Sequence, residues 1–428
     1  MPERKKTEQE QALIEKAYRV LPGGNLGNLG SDIIIQEGKG GRIWDVSGNE
    51  YVDYLLGSGP MLIGHSHPDV LAAVRDQLER GTTFFAGNEN AILLAEEIVN
   101  AVPCAEKVRF SSSGTEATLY AMRAARAYRK RDKILKFEGG FHGMNDYALM
   151  SMGPAQPRDF PHPVPDSAGI PKAIEGEMLI APFNDIETAS SIIQRYHEEL
   201  AGVIVEPFQR LIPPVPGFLQ GLRDVTEQYE IPLIFDEVVT GFRLAYGGAQ
   251  EYYGVTPDLC TLGKACAGGF PLTAVAGRQE LMAGFEGDSA ASGGFMPQIG
   301  TLSGNPVAAA AGLATLEVLR REGTYERLFA TGQRIKDALE RLFKEAEIPV
   351  QVVGDAPLFD VYFTEAEVTD YRSSLSGDKK MLARFNRLLL ERGIFKGDSK
   401  YYISTAHTAE DVDQTIEAFA GAIDELRG

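Results

Sequence analysis

In Pro232-Leu233-Ile234-Phe235-Asp236-Glu237-Val238-Val239-Thr240-Gly241-Phe242-Arg243, an apolar run passes straight into two carboxylates. A short unbroken apolar run closed by turn residues is the pattern of a strand buried on both faces. Four further runs end in polar groups in the same way. Gly202-Val203-Ile204-Val205 meets Glu206-Pro207, and Leu259-Cys260-Thr261-Leu262 meets Gly263-Lys264. Lys133-Ile134-Leu135-Lys136-Phe137 meets Glu138-Gly139-Gly140-Phe141-His142-Gly143, and Val108-Arg109-Phe110 meets Ser111-Ser112-Ser113-Gly114-Thr115-Glu116-Ala117. Thr273-Ala274-Val275-Ala276 supplies one more strand. Helical spacing fills 114–129, 186–200 and 218–229. Strands alternating with helices predict an α/β fold with a mostly parallel central sheet and helices on both faces. Ligands of such sheets bind beyond the carboxyl ends of the strands, where these polar residues fall.

The segments outside this alternation form a second pattern. Strands are expected at 33–35, 41–45 and 51–54, and a helix at 7–20. After the Ala-rich helix that ends near Glu322 come helices over 325–345, 379–391 and 409–427, with strands near 350–353 and 358–363. The expected organisation is an N-terminal segment (1–65) that joins the small domain, a large domain (66–322) and a C-terminal α+β part (323–428). The bulk numbers narrow the function. With 42 Lys and Arg against 60 Asp and Glu, the net charge of −18 argues against nucleic acid or an anionic membrane as partner. The sequence contains no apolar run long enough to span a membrane. MPERKKTEQEQ has no apolar stretch after its basic residues, so no secretory leader is expected. Cys104, Cys260 and Cys266 lack metal-ligand spacing and read as reduced thiols of a cytoplasmic protein.

Each strand-end group has a plain reading and a chemical one. Ser113 is an ordinary helix cap, or with Gly114 and Thr115 a phosphate cradle at a helix N-terminus. Phe141 and His142 are a core ring in a glycine-rich turn, or a platform for a planar ligand. Glu206 is a solvated strand end or a site residue, and the adjacent Asp236 and Glu237 are a solvated acidic end, or one of the two is the partner of a cation or a protonated ring nitrogen. Lys264 is a surface charge, or an amine that bonds to an aldehyde. All of them fall at one edge of one sheet. Together they suit pyridoxal phosphate, which requires an amine, an anion cradle and an acid for its ring nitrogen. A metal-hydrolase reading would instead group His65, His67, His142, Asp236 and Glu237, although Gly64 and Pro68 favour a loop there. The predicted metal complement is none.

The stretches Gly57–Pro68 (GSGPMLIGHSHP), Val108–Ala117 (VRFSSSGTEA), Ile134–Gly143 (ILKFEGGFHG), Glu206-Pro207, Phe235–Phe242 (FDEVVTGF), Leu259–Lys264 (LCTLGK) and Gly300–Pro306 (GTLSGNP) stand in the order of a known family. Through them the chain resembles the class III aminotransferases, and within these most of all the glutamate-1-semialdehyde aminomutases. The resemblance covers nearly the whole chain and implies the fold type I architecture of pyridoxal phosphate-dependent transferases. It implies a Schiff base on Lys264, Asp236 at the pyridinium nitrogen, and Val238 and Phe141 on opposite ring faces. Ser113, Gly114 and Thr115 would bind the phosphate, with Glu206 and His142 near the ring. Thr301 would reach the phosphate of a neighbouring subunit, which implies a homodimer with shared active sites.

The substrate side departs from the aminomutase pattern. Leu21–Gly30 reads LPGGNLGNLG where an arginine for a carboxylate is expected, and the next arginine is Arg42. Ser58 stands near the place of an expected aromatic residue, and 393–404 reads GIFKGDSKYYIS. The expectation is therefore an intermolecular aminotransferase, moving an amino group from an amine or amino acid donor to a keto acid or aldehyde. The intramolecular aminomutase is the alternative. Thr83-Phe84-Phe85 and Tyr401-Tyr402 are candidate pocket walls, and Arg210 and Arg243 are candidates for a substrate carboxylate.

Overall fold

The computed structural model describes residues 4–30, 32–288 and 294–427. The first three residues of the basic amino terminus lie outside them. The chain divides into two compact units. One comprises Met1–Pro68, Gly323–Glu367 and Ser376–Gly428, and the other Asp69–Glu322 with Val368–Leu375.

In the first unit, strands β1 (Ile35–Lys39), β2 (Arg42–Asp45) and β3 (Glu50–Asp53) form an antiparallel meander. The second unit holds β4 (Lys107–Ser111), β5 (Lys133–Phe137), β6 (Met178–Ala181), β7 (Leu200–Val205), β8 (Leu233–Glu237), β9 (Leu259–Leu262) and β10 (Thr273–Gly277). The first unit resumes with β11 (Gln351–Asp355), β12 (Leu358–Tyr362), β13 (Ile394–Phe395) and β14 (Tyr401–Tyr402).

Both chain ends build the first unit because its sheet needs both. β13 pairs in parallel with β3, Val52 opposite Ile394, which extends the meander to four strands. Arg42 fixes this junction through Asp411 at 2.7 Å, Glu50 at 3.0 Å and Gln414 at 3.0 Å. Lys396 and Asp360 form a buried ion pair at 2.8 Å, which Asn386 Oδ1 completes at 2.9 Å. Burial pushes the Asp360 carboxyl up, and the Lys396 charge opposes that shift. Tyr401 and Tyr402 are buried here, with Tyr401 stacked on Phe359 at 5.4 Å.

In the second unit the strand order is β4-β10-β9-β8-β7-β5-β6. Every pair is parallel except those made by β10, which runs antiparallel to β4 and β9. Strands β6 to β10 are buried along their whole length. This is why their sequences are continuously apolar rather than alternating. The helix Pro306–Leu319 has the same cause for its alanines, being buried on nearly every face, and Asn305 caps it by accepting from Val307 N and Ala308 N. β6 and the short helix Tyr371–Ser374 have no counterpart in the sequence reading.

In the helix Thr324–Glu345, a Cβ at Gly332 would overlap the carbonyl oxygen of Ala356, which as backbone cannot swing aside. Gly332→Ala should therefore lower stability by about 1–3 kcal/mol. On an open helix face the same change gains roughly 0.5–1 kcal/mol. Urea midpoints of the two proteins decide the sign, and a gain would refute this packing.

Candidate active site

The helix Gly114–Arg129 begins directly after β4. Ser113 caps it by accepting from Glu116 N at 3.2 Å, while Glu116 Oε2 accepts from Ser112 N at 2.8 Å and Ser113 N at 3.1 Å. The amides of Gly114 and Thr115 lie in the first turn, where no intrahelical acceptor exists and the helix dipole is positive. Thr115 Oγ1 accepts from Met144 N at 3.0 Å, which draws the loop after β5 onto this turn. That loop comes close only because of Gly143 (φ +88°), where a Cβ would stand 2.6 Å from Thr115 Cα.

The loop then bridges strand ends. Phe141 N donates to Glu206 Oε2 at 2.8 Å, at the end of the adjacent β7. One strand further, His142 Nδ1 meets Asp236 Oδ2 at 2.8 Å. Asp236 Oδ1 accepts from Thr261 Oγ1 at 2.8 Å and from Val238 N at 3.2 Å. Thr261 lies directly opposite Asp236 across the β8–β9 pair. A carboxylate offers roughly four acceptor positions, so one remains for a further donor. Glu237 points to the other side of the strand and is consumed by the fold, accepting from Thr240 Oγ1 at 2.9 Å and from Ala249 N at 2.5 Å. Its complete burial pushes its pKa up.

Lys264 opens a 3₁₀ turn (Lys264–Ala267) just beyond β9 and holds a left-handed φ of +49°. Such a conformation costs a non-glycine residue about 1–2 kcal/mol. Burial pulls its amine down to about 8, assisted by the charges of Arg243 and Arg210 and opposed by Asp236 and Glu206. Val238 ties the lysine turn to the helix N-terminus. A Cβ at Gly263 would lie 3.3 Å from Val238 Cγ1, and one at Gly114 would lie 3.4 Å from the same atom. Ser113, Gly114, Thr115, Phe141, His142, Glu206, Asp236, Val238 and Lys264 thus share one sheet edge. Thr301 is exposed in the turn that Ser303 N closes on Gly300 O.

Two contributors escaped the sequence reading. Lys136 is fully buried in β5 and donates to the carbonyls of Gly140 (3.0 Å), Ala148 (2.8 Å) and Met150 (2.7 Å). It thereby anchors the loop that carries Phe141 and His142. Burial pulls its amine down to about 7, against the fields of Glu206 and Asp166. Its signal was a charge inside an otherwise apolar strand. Glu138 is held by Arg372 at 2.7 and 3.2 Å, a pairing between positions too distant in sequence to be read. Phe84 and Phe85 are exposed. Among the described residues no three His, Cys, Asp or Glu side chains are grouped to hold a metal ion. His65 is engaged by Asp53 at 2.7 Å. No described helix is long and apolar enough to cross a membrane.

An amine at a strand end, a carboxylate with one acceptor position left and free amides at a helix start fit pyridoxal phosphate. They define a pyridoxal phosphate-dependent transferase. Residues 27–423 match the family described as aminotransferase class-III. A glutamate-1-semialdehyde 2,1-aminomutase from Desulfitobacterium hafniense is 41% identical over 423 residues, covering 96% of each chain. An omega-transaminase from Sphaerobacter thermophilus superimposes with a TM-score of 0.93 at 37% identity, covering 98% of each chain. A β-phenylalanine aminotransferase from Variovorax paradoxus gives 0.86 at 30% identity, over 97% of this chain and 94% of the other. The chain belongs to the class-III aminotransferases and is a pyridoxal phosphate-dependent transaminase.

The position of Lys264 has a pH consequence. In cofactor-stripped protein, capture of added pyridoxal phosphate should accelerate with rising pH through a midpoint near 8. Below that pH the amine is protonated, and only its neutral form is nucleophilic. Stopped-flow absorbance measures the rate, and a midpoint near 10.5, the ordinary value, would show a solvated lysine.

Proposed function

We propose that this transaminase works between two substrates, with Lys264 as the amine that carries the cofactor and moves the proton. The carrying observation is the joint placement of Lys264 and Asp236 at adjacent strand ends, with the Asp236 carboxylate held by His142 and Thr261. Pyridoxal phosphate supplies an aldehyde that takes up the donor's amino group and a ring that accepts electrons from Cα. Ser113, Gly114 and Thr115 would hold its phosphate, and the fourth acceptor position of Asp236 would take its ring N–H. Phe141 and Val238 would confine the two ring faces, with Glu206 fixing the Phe141 backbone. The neutral Nζ of Lys264 takes the proton from the donor's Cα. The substrates are an amine or amino acid donor and a keto acid or aldehyde acceptor.

The 41% identity to an aminomutase favours a second reading, intramolecular transfer on glutamate-1-semialdehyde. The absence of an arginine from Leu21–Gly30 supports the first. Supplied with a donor alone, a two-substrate enzyme converts one equivalent per site and stops until a keto acid is added. Sustained isomerisation of glutamate-1-semialdehyde without acceptor would reverse the choice. Lys264→Ala should retain cofactor but lose turnover by roughly 10²–10⁴-fold, and sustained turnover in this variant would remove Lys264 from the mechanism.

A homodimer is supported by the surface around Thr301, where Ile299 is 79% exposed and Leu302 47%. Neighbouring apolar side chains left so exposed suit an interface between two chains. Light scattering should give the mass of two chains, and a monomer at micromolar concentration would exclude a shared site. The free thiols of Cys104, Cys260 and Cys266 support a reducing, cytoplasmic setting.

A further inference from the structure

We propose that Arg210 receives a substrate carboxylate, so that the site is built for amino acid donors and keto acid acceptors rather than simple amines and aldehydes. The proposal rests on the aminotransferase reading with Lys264 at its centre. After β7 the chain passes Glu206-Pro207 and reverses at Arg210-Leu211. Gln209 N donates to Ile212 O at 2.9 Å and Ile212 N to Gln209 O at 2.8 Å. Arg210 stands in this two-residue turn with φ +59°, a conformation that glycine or asparagine adopts more easily. The turn alone therefore does not explain an arginine.

The side chain does. Its guanidinium carbon lies 5.1 Å from the centroid of the Phe141 ring, whose backbone is tied to Glu206. Arg210 is half-buried, yet no described carboxylate comes within ion-pair distance of it. Other arginines of this unit have such partners: Arg223 and Arg278 share Asp258, each at 2.9 Å, and Arg372 has Glu138. The neighbouring acids are committed elsewhere, Glu206 to Phe141 N and Asp236 to His142 and Thr261. Burial first, then Arg243, then Arg210 depress the Lys264 amine, which places the guanidinium charge within the field of the reacting nitrogen. A planar fork of donors without an anion, next to the ring platform and the lysine, matches a carboxylate on the substrate.

The test compares holoenzymes of the wild type, Arg210→Asn and Arg210→Lys. Asparagine suits the left-handed turn better than arginine, so loss of charge is separated from loss of fold. Retention of the cofactor's visible band confirms an intact site. The two donor types are L-alanine or β-alanine, which carry a carboxylate, and 1-phenylethylamine, which lacks one. In Arg210→Asn the ratio of kcat/KM for the carboxylate donors to that for the amine should fall about 10- to 100-fold, mainly through KM. Arg210→Lys should recover part of it. Glutarate, which cannot react, should perturb the visible band of the wild type and require far higher concentrations with Arg210→Asn. An unchanged ratio and unchanged glutarate titration would overturn the proposal, as would equal losses for both donor types. If the wild type reacts with neither donor, the aminotransferase reading itself fails instead.

Discussion

Three donors converge on the Asp236 carboxylate, and each reaches it from a different segment of the large sheet. Thr261 comes from the facing position on β9, Val238 N from the turn just after β8, and His142 from a loop that starts two strands away. A buried carboxylate must be satisfied, because an unpaired charge at 5% exposure destabilises the fold by more than one good hydrogen bond stabilises it. The arrangement of the site follows from meeting that requirement. His142 can reach Asp236 only if its loop crosses the end of β7, where Glu206 takes Phe141 N. The loop can lie there only if Gly143 lets it press on Thr115. The helix start at Thr115, the loop of Phe141 and His142, and Asp236 therefore belong to one connected network, not three separately placed groups.

The same edge concentrates positive charge around the amine. Burial depresses the Lys264 amine, the fields of Arg243 and Arg210 add to it, and those of Asp236 and Glu206 oppose it. Such an amine is poised to act as a base near neutral pH, at the cost of local strain at φ +49°. Lys136, behind the loop, is a buried lysine whose amine is likewise pulled down, to about 7, but its Nζ is spent on three backbone carbonyls that hold the loop. The two buried amines thus differ in their partners: Lys136 is tied to carbonyls, and Lys264 lies in the fields of Arg243 and Arg210 as well as those of Asp236 and Glu206.

The large sheet was legible because a strand buried on both faces has almost no alternative to a continuous apolar run. The grouping of the candidate residues at one sheet edge was legible for a related reason: they sit at fixed offsets from those runs. The adjacent acids Asp236 and Glu237 were separated only through the family resemblance, since the apolar run by itself does not say which face each meets. Lys136 was passed over because its partners are carbonyls, which carry no sequence signature. The Glu138–Arg372 pair joins segments whose proximity only folding creates. β6 was hidden behind the long irregular stretch rich in Pro and Gly that precedes it. Thr301 is named only through resemblance, and in the single chain it is exposed.

The parallel pairing of β3 with β13 has a consequence for how the chain is made. β3 leaves the ribosome well before its partner at Ile394. All of Asp69–Glu322 emerges in between and can assemble its own sheet first. Until then β3 presents an unpaired edge, the kind of surface that recruits stray strands. No single contiguous piece of the chain encodes the first unit, so a truncated product would display that edge permanently.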